Sequence, residues 1–352
     1  MTSKLPIKNN NKILPPPREE DFQGRQLELF RHFLCNKGSE RDLLSNAFDL
    51  WDSIPRYSIS RQEMNKLRKS GGFPQLMIIP FNYRGRELKA TIQPAWIQQD
   101  DNNIIGYYPS ANEELVEDAL RKIATEQYHG FFDKPNYRSG VVFSLHMLRE
   151  EMKKRGHTRS YQEIILSLKI LARSSVEIIT TDGIDGEGFS ISSYFPSLSA
   201  VSKSKIATDP KAKWLVQFHP LVTQAIDALA YRQFNYAQMM SHHTQLARWL
   251  HKQLSLKFTF ANLINPFEMR YSTIKRDSAL LGGYSRVTAA IEALDAAFSE
   301  LKTDGVLLGF KKKTNAGLRG KIEDVVYTLT PSIDFVSQTK AANKRLSEIT
   351  KN

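Results

Sequence analysis

"LLGGYSRVTAAIEALDAAFSELKTDGVLLGFKKKTNAGLRGKIEDVVYTL", Leu280 to Leu329, decides how the chain is read. Two glycines and a tyrosine lead into an amphipathic helix, and two apolar strands then bracket a basic loop. Val287, Ala290, Ile291, Leu294, Phe298 and Leu301 recur three or four apart, the spacing of one buried helix face. Gly282 and Gly283 permit the positive backbone dihedral at which a preceding helix stops. That preceding helix is "STIKRDSALL", 272–281, and Ser285 is the expected cap of the next. A sharp stop followed by a helix leaving at a steep angle makes a helix-turn-helix. "VLLGF" and "IEDVVYTL" predict a hairpin beside it.

Away from its core stripe the helix turns Tyr284, Ser285, Arg286, Thr288, Ala289 and Glu292. A helix fits the major groove of duplex DNA, where arginine takes guanine through two hydrogen bonds. A small residue such as Ala289 allows close approach to a thymine methyl. These six are the expected base-reading residues. Between Gly305 and Ile322 lie Lys311, Lys312, Lys313, Arg319 and Lys321, with no acidic residue among them. Arg270, Lys275 and Arg276 cluster around the turn with only Asp277 for company. All eight cations are expected on the DNA backbone, where they position the protein without reading sequence.

Composition agrees. The chain of 352 residues has 49 Lys and Arg against 37 Asp and Glu, a net charge of +12. That surplus predicts attraction to a polyanion, nucleic acid or an anionic membrane. No apolar run approaches the ~20 residues needed to span a bilayer. "MTSKLPIKNNNK" lacks the apolar core of a signal peptide. Cys35 is the single cysteine, which excludes an internal disulfide and a multi-cysteine zinc site. The expectation is a cytosolic protein with nucleic acid as partner and no membrane.

The same order of elements occurs earlier. Helices are expected over 112–128, with Leu115, Ala119, Leu120 and Ile123 inward, over 144–155, ended by Gly156, and over 159–173. "VEIITTDGIDGEGFSISSYF" then reads as strand, glycine-rich turn, strand. The second set begins at "HHTQLARWLHKQL", with Leu246, Trp249, Leu250 and Leu254 on one side. Helix, helix, turn, helix, hairpin is the winged-helix pattern, present twice. Two amphipathic helices are expected between Gly38 and Lys69, the second starting near Ser58 or Ser60, and two strands around an Asn82–Gly85 turn. The expected fold class is α+β: two tandem winged-helix domains with an N-terminal extension. Residues 1–24 read as a mobile tail, 25–206 as the extension plus first domain, 207–335 as the second domain, and 336–352 as a C-terminal tail.

The first set differs chemically. Lys153, Lys154, Arg155 and Arg159, beside Arg149, are expected on the DNA backbone, yet the hairpin loop carries Asp182, Asp185 and Glu187. An acidic loop repels phosphate, so this domain docks differently. Ile165, Leu166 and Ile170 add apolar surface, read either as a protein contact or as a face buried against the N-terminal segment.

Enzyme readings find little purchase. His242 and His243 are adjacent rather than separated by one residue, His251 is eight on from His243, and no carboxylate is near them in sequence. No GxxxxGK[ST] phosphate loop occurs, since "DGIDGEG" is acidic and lacks the lysine. No catalytic residue, metal site or cofactor is expected.

The tandem pattern resembles the theta-type plasmid replication initiators, the Rep family, over Leu88 to Ser332. It is carried best by "FSLHMLREEMKKRGHTRSYQEIILSLKILARSSVEII" and "YSTIKRDSALLGGYSRVTAAIEALDAAFSELKTDGVL". The resemblance implies binding to repeated origin sequences (iterons), opening of adjacent AT-rich DNA, and recruitment of the host replicative helicase and host initiator. It also implies a monomer that initiates, a homodimer that represses its own promoter, copy control, and a plasmid-associated place in a bacterial cytoplasm. The family's base-reading helix maps to Ser285–Ala297. Two alternatives stay open: a winged-helix transcription regulator, and a rolling-circle nicking initiator, which would be an enzyme.

Overall fold

The computed structural model describes residues 42–69, 75–100, 103–126, 129–133, 135–180, 188–202, 206, 209–317 and 321–349. The expected tail 1–24, the acidic loop with Asp182, Asp185 and Glu187, and Arg319 lie outside them. The architecture is mixed α/β.

The first half starts with β1 (Leu44–Phe48), a 3-10 turn (Trp51–Ser53) and α1 (Arg61–Lys69). Of the two helices expected here, only the second is present among the described residues. Leu44–Phe48 instead pairs antiparallel with β12 (Tyr231–Asn235), a long-range ladder that overrides local helical preference. Strands β2 (Met77–Tyr83) and β3 (Arg86–Gln93) form the expected hairpin. Arg84 and Gly85 both have positive φ, 49° and 81°, as the two-residue turn matching strand twist requires. Strands β4 (Ala95–Asp100) and β5 (Asn103–Tyr107) pair with each other.

Helix α2 (Ala111–Ala124) is followed by a hairpin the sequence did not suggest, β6 (Gly130–Asp133) and β7 (Arg138–Ser144). Then come α3 (Leu145–Lys154), α4 (Tyr161–Arg173), β8 (Ser175–Thr180), β9 (Gly188–Ser193), β10 (Ser197–Val201) and β11 (Lys213–Gln217). Serines start the helices. Glu113 accepts from the Ser110 amide at 2.9 Å and Glu163 from the Ser160 amide at 2.8 Å. Gly156 ends α3 at φ 87°, where an L-residue would be strained. Strands β8 and β9 continue the first hairpin as a sheet ordered β2-β3-β8-β9, while β7 joins β10-β11-β7-β6.

The second half contains α5 (Pro220–Asp227), β12, α6 (Tyr236–Ser241), α7 (Gln245–Lys257), β13 (Phe267–Arg270), α8 (Tyr271–Ser278), α9 (Val287–Thr303), β14 (Leu307–Ala316), β15 (Ile322–Pro331) and α10 (Ile333–Ile349). Its sheet runs β13-β15-β14. Residues 336–349, expected as tail, belong to α10, because Phe335 and Val336 bury in the core, Phe335 against His251 and Phe258.

Two apolar cores divide the chain. One gathers residues from Ala47 to Met240, the other from Leu246 to Val336. Phe218, Val222, Ile226, Tyr231, Phe234, Tyr236, Met239 and Met240, placed by the sequence reading in the second domain, pack into the first core. Between the cores lies a buried ionic seam. Lys252 of α7 donates to Glu114 at 3.0 Å and Asp118 at 2.7 Å on α2. Arg121 grips Asp52 (2.8 and 2.9 Å) and Asp118 (2.7 Å), and Arg56 reaches Asp52 (3.1 Å) and Glu117 (3.0 Å). Trp51 Nε1 donates to Glu117 at 2.6 Å. Buried charge is tolerated only with such pairing. These arginines hold Asp52 and Glu117 below the usual carboxylate range despite burial.

Candidate nucleic-acid interface

Helix α8 begins directly after β13 at the extended residue Arg270, which contributes no side-chain cap. Strand β15 supplies one instead: the Ser272 amide and hydroxyl donate to Asp324 at 3.0 and 2.7 Å. The helix ends at Ala279, which is left-handed with φ 53°. That stop was expected at Gly282 or Gly283, neither of which has positive φ among the described residues. An L-residue in this conformation costs roughly 1 kcal/mol. Ser278 Oγ accepts from the Leu280 amide at 3.2 Å and holds the turn. A Cβ at Gly283 would stand 2.7 Å from a carboxylate oxygen of Glu63 on α1, the movable end of a long side chain.

Helix α9 starts one residue later than the spacing suggested. Its N-cap is Arg286 rather than Ser285, and no side chain caps it. The first-turn amides of this seventeen-residue helix therefore lack a side-chain acceptor, the arrangement that binds phosphate. Ala290, Ile291, Leu294, Phe298 and Leu301 are buried as expected, with Ala297. Val287, expected in that stripe, is 41% exposed because the first turn projects beyond the core. Tyr284 is 45% exposed, Ser285, Arg286, Thr288 and Glu292 are exposed, and Ala289 is half-buried. The six expected base-reading residues thus share one protruding helix start.

The basic residues divide by face. Cross-strand registers align Arg270 with Val326 and Val326 with Lys313, while Glu268, Thr328 and Lys311 form the neighbouring row. Residues directly opposite point to the same side, so Arg270, Lys311 and Lys313 share the outer sheet face. Lys312 points to the other side, toward α9, and pairs with Asp295 at 2.5 Å; Tyr327 donates to the same carboxylate at 2.8 Å. Lys275 and Lys321 are exposed. Arg276 is held by Asp277 at 2.7 Å, and buried Asp277 also accepts from the Asn82 amide at 3.1 Å. The first half thereby braces α8 through β2, which no sequence signal announced.

In the first half the expected backbone cations are mostly engaged. Arg155 is buried between Glu151 (3.0 Å) and Asp42 (3.2 Å), and Lys154 bonds Asp42 at 2.6 Å. Arg159 donates to Asn112 Oδ1 at 2.8 Å. Lys153 is exposed, 4.0 Å from Glu150. Arg149 lies over the Tyr161 ring, 4.9 Å from its centroid. Ile170 is buried with Ala95 and Ile97 of β4, and Leu166 packs against them. Of the two readings of this apolar surface, the face buried against the N-terminal segment is the one observed for Leu166 and Ile170.

Folding does bring carboxylates to the histidines, contrary to the sequence reading. His242 Nδ1 lies 2.6 Å from Asp304, and its Nε2 lies 2.9 Å from His251 Nδ1. Glu300 accepts from Thr244 Oγ1 at 2.6 Å. His242, Glu300 and Asp304 place ligand atoms within 4.8 Å of one another. Each is already used in a protein hydrogen bond, and Glu300 holds Thr244, the N-cap of α7, so the cluster reads as a junction between α7 and α9.

No family model matches the chain, and no curated protein matches it. Among solved structures it is similar to domains 2 and 3 of RctB, at 10% identity and TM-score 0.46 over 74% of this chain and 93% of that one. A second crystal structure of RctB domains 2–3 gives 12% identity and TM-score 0.44 over 77% and 95%. The Pi initiator protein in complex with iteron DNA gives 11% and 0.36 over 84% and 99%. No helix of the described residues is long and apolar enough to cross a membrane.

Proposed function

We propose that the chain is a sequence-specific duplex-DNA-binding replication initiator built on two tandem winged-helix units. The observation that carries the DNA reading is the start of α9. Its exposed Tyr284–Ala289 segment, uncapped amides and neighbouring cationic sheet face suit a major groove flanked by phosphates. Arg286 takes a base edge, Tyr284, Ser285, Thr288, Ala289 and Glu292 line the groove, and Arg270, Lys275, Lys311, Lys313 and Lys321 meet the backbone. The first unit contributes Lys153 and mainly holds the second in place.

Initiation rather than regulation is what the resemblance to the Rep family adds. Under it the protein binds origin repeats, opens adjacent AT-rich DNA, recruits host replication proteins in the bacterial cytoplasm and dimerises to repress its promoter. No covalent chemistry on DNA is part of this role.

The test is a footprint on the DNA flanking the gene, followed by permanganate probing of supercoiled template. Protection of direct repeats with nearby unpaired thymines is expected. Protection without opening would leave a regulator, and site-specific nicks in Mg²⁺ or Mn²⁺ would make it a nickase.

A further inference from the structure

The loop between α7 and β13 leaves apolar side chains in water. Phe260 is 86% exposed and Ile264 88%, and Ile333 at the start of α10 is 72% exposed. Ile264 and Ile333, with Leu263, Val336 and Lys340, border a groove of about 580 Å³, and Phe260 stands on the same loop. The loop is held rather than slack. Asn262 Oδ1 accepts from the Ile264 and Asn265 amides at 2.9 and 2.7 Å, and Asn343 of α10 donates to the Thr259 carbonyl at 2.8 Å. A pre-shaped apolar surface of this kind marks an interaction site.

Its place in the fold separates it from the DNA-reading end. Phe267, where the loop enters the sheet, pairs with Leu329 and so with Phe310, whereas Arg270 pairs with Val326 toward the hairpin tip. Ile333 follows Pro331, which pairs with Leu307 just beyond the end of α9. Val287 and Thr303 stand about 25 Å apart along that helix. The groove therefore lies at the far end of both α9 and the wing.

We propose that this groove docks an acidic, amphipathic segment of a partner protein while the other end holds DNA. Double-helical DNA presents phosphate, which gains nothing from Leu263 and Ile264, so the groove does not suit the duplex held at the other end. Lys340 lines the groove and Lys344 follows one turn later, against Asp334 at the start of the helix. A second copy would bring another +12 charges, so an acidic partner is the better complement. Apolar anchors fill the cleft between Ile264 and Ile333, and a carboxylate on the same segment reaches Lys340.

The full chain is titrated, by fluorescence anisotropy, into three labelled sixteen-residue peptides. One is a helix former with leucines three and four apart and glutamates elsewhere, one is its scramble, and one carries lysine for glutamate. The acidic amphipathic peptide should bind at least tenfold tighter than the others. Ile264→Asp should weaken it tenfold or more without changing DNA affinity, and Lys340→Glu should move the preference to the lysine peptide. Equal binding of the scramble, no binding of the acidic peptide, or full binding by both variants overturns the proposal. So does sedimentation in which Ile264→Asp splits a wild-type dimer, which would give the groove to a second copy, or a parallel loss of DNA affinity.

Discussion

Helix α4 begins at Ser160 with a reciprocal cap and has Leu166 and Ile170 under the β4–β5 hairpin, whereas α9 begins at Arg286 uncapped and projects its first turns into solvent. The hairpins after them differ likewise. Strands β8 and β9 are absorbed into a four-stranded sheet with β2 and β3, but the β14–β15 hairpin gains only short β13, on β15, and extends beyond it. Similar local order thus yields two different objects. Once neighbouring strands and a hairpin cover one unit, its cations are spent on Asp42, Glu151 and Asn112. The other unit keeps its helix start and sheet face available.

The largest expected effect comes from breaking the seam that joins the two. Lys252→Ala leaves Glu114 and Asp118 buried without their ammonium partner and should cost about 3–5 kcal/mol. Denaturant unfolding measures it. A loss under 1 kcal/mol would mean the units do not depend on this contact for stability.

Much of the second unit was legible in the sequence. The stripe from Ala290 to Leu301, the strands around the lysines and the exposed Tyr284–Ala289 segment follow from periodicity and turn residues. What escaped is contact across long separations. Helix α2 advertised Leu115, Ala119, Leu120 and Ile123, all buried, but its charged face reads as solvated and is in fact buried too. Its partners Asp52, Arg56 and Lys252 lie far off in the chain, and no period of 3.6 reveals them. The left-handed stop at Ala279 was missed for a related reason. Glycine is the usual marker of that conformation, and here neither Gly282 nor Gly283 adopts it.

Arg286→Ala against Gln162→Ala tests the division of labour directly. The first should cost roughly 1–3 kcal/mol on the cognate site and relax one base preference. The second, in the exposed first turn of α4, should change binding little. Equal losses on a footprinted origin fragment would restore base reading to the first unit.

Acid should distinguish the cores. His219 is stacked on Trp51 with ring centroids 4.2 Å apart, and its Nδ1 accepts from the Leu221 amide at 3.1 Å. Burial, with Arg56 nearby, lowers its pKa to about 3. Because the folded value lies below that of the unfolded chain, the unfolded state takes up the proton first as pH falls below about 6.5. Stability is complete above that pH and drops by about 2 kcal/mol by pH 5 from this residue. Burial also lowers His242 and His251, which adds to the loss with the same sign. His219→Asn, which retains an acceptor for the Leu221 amide, should remove the His219 share of the change in unfolding free energy between pH 7 and 5. An unchanged pH dependence would place the proton elsewhere.

The smallest effect is the most specific to the β14–β15 hairpin. The sequence treats Lys311, Lys312 and Lys313 alike, but strand alternation sends Lys312 to Asp295 and the other two to the outer face with Arg270. A lysine that neutralises one phosphate contributes about 0.9 to the slope of log affinity against log salt. Lys313→Ala should therefore flatten that slope by about one and weaken cognate and random DNA alike. Lys312→Ala should flatten it less, because its ammonium is already paired with Asp295. Removing it also leaves the Asp295 carboxylate of α9 with Tyr327 but without its cation, so any loss should fall more on the cognate site than on random DNA. Anisotropy titrations at four salt concentrations on both sequences separate the cases. If Lys312 carried the larger salt dependence and Lys313 none, the wing would meet DNA with its inner face and the cationic sheet face would have another use.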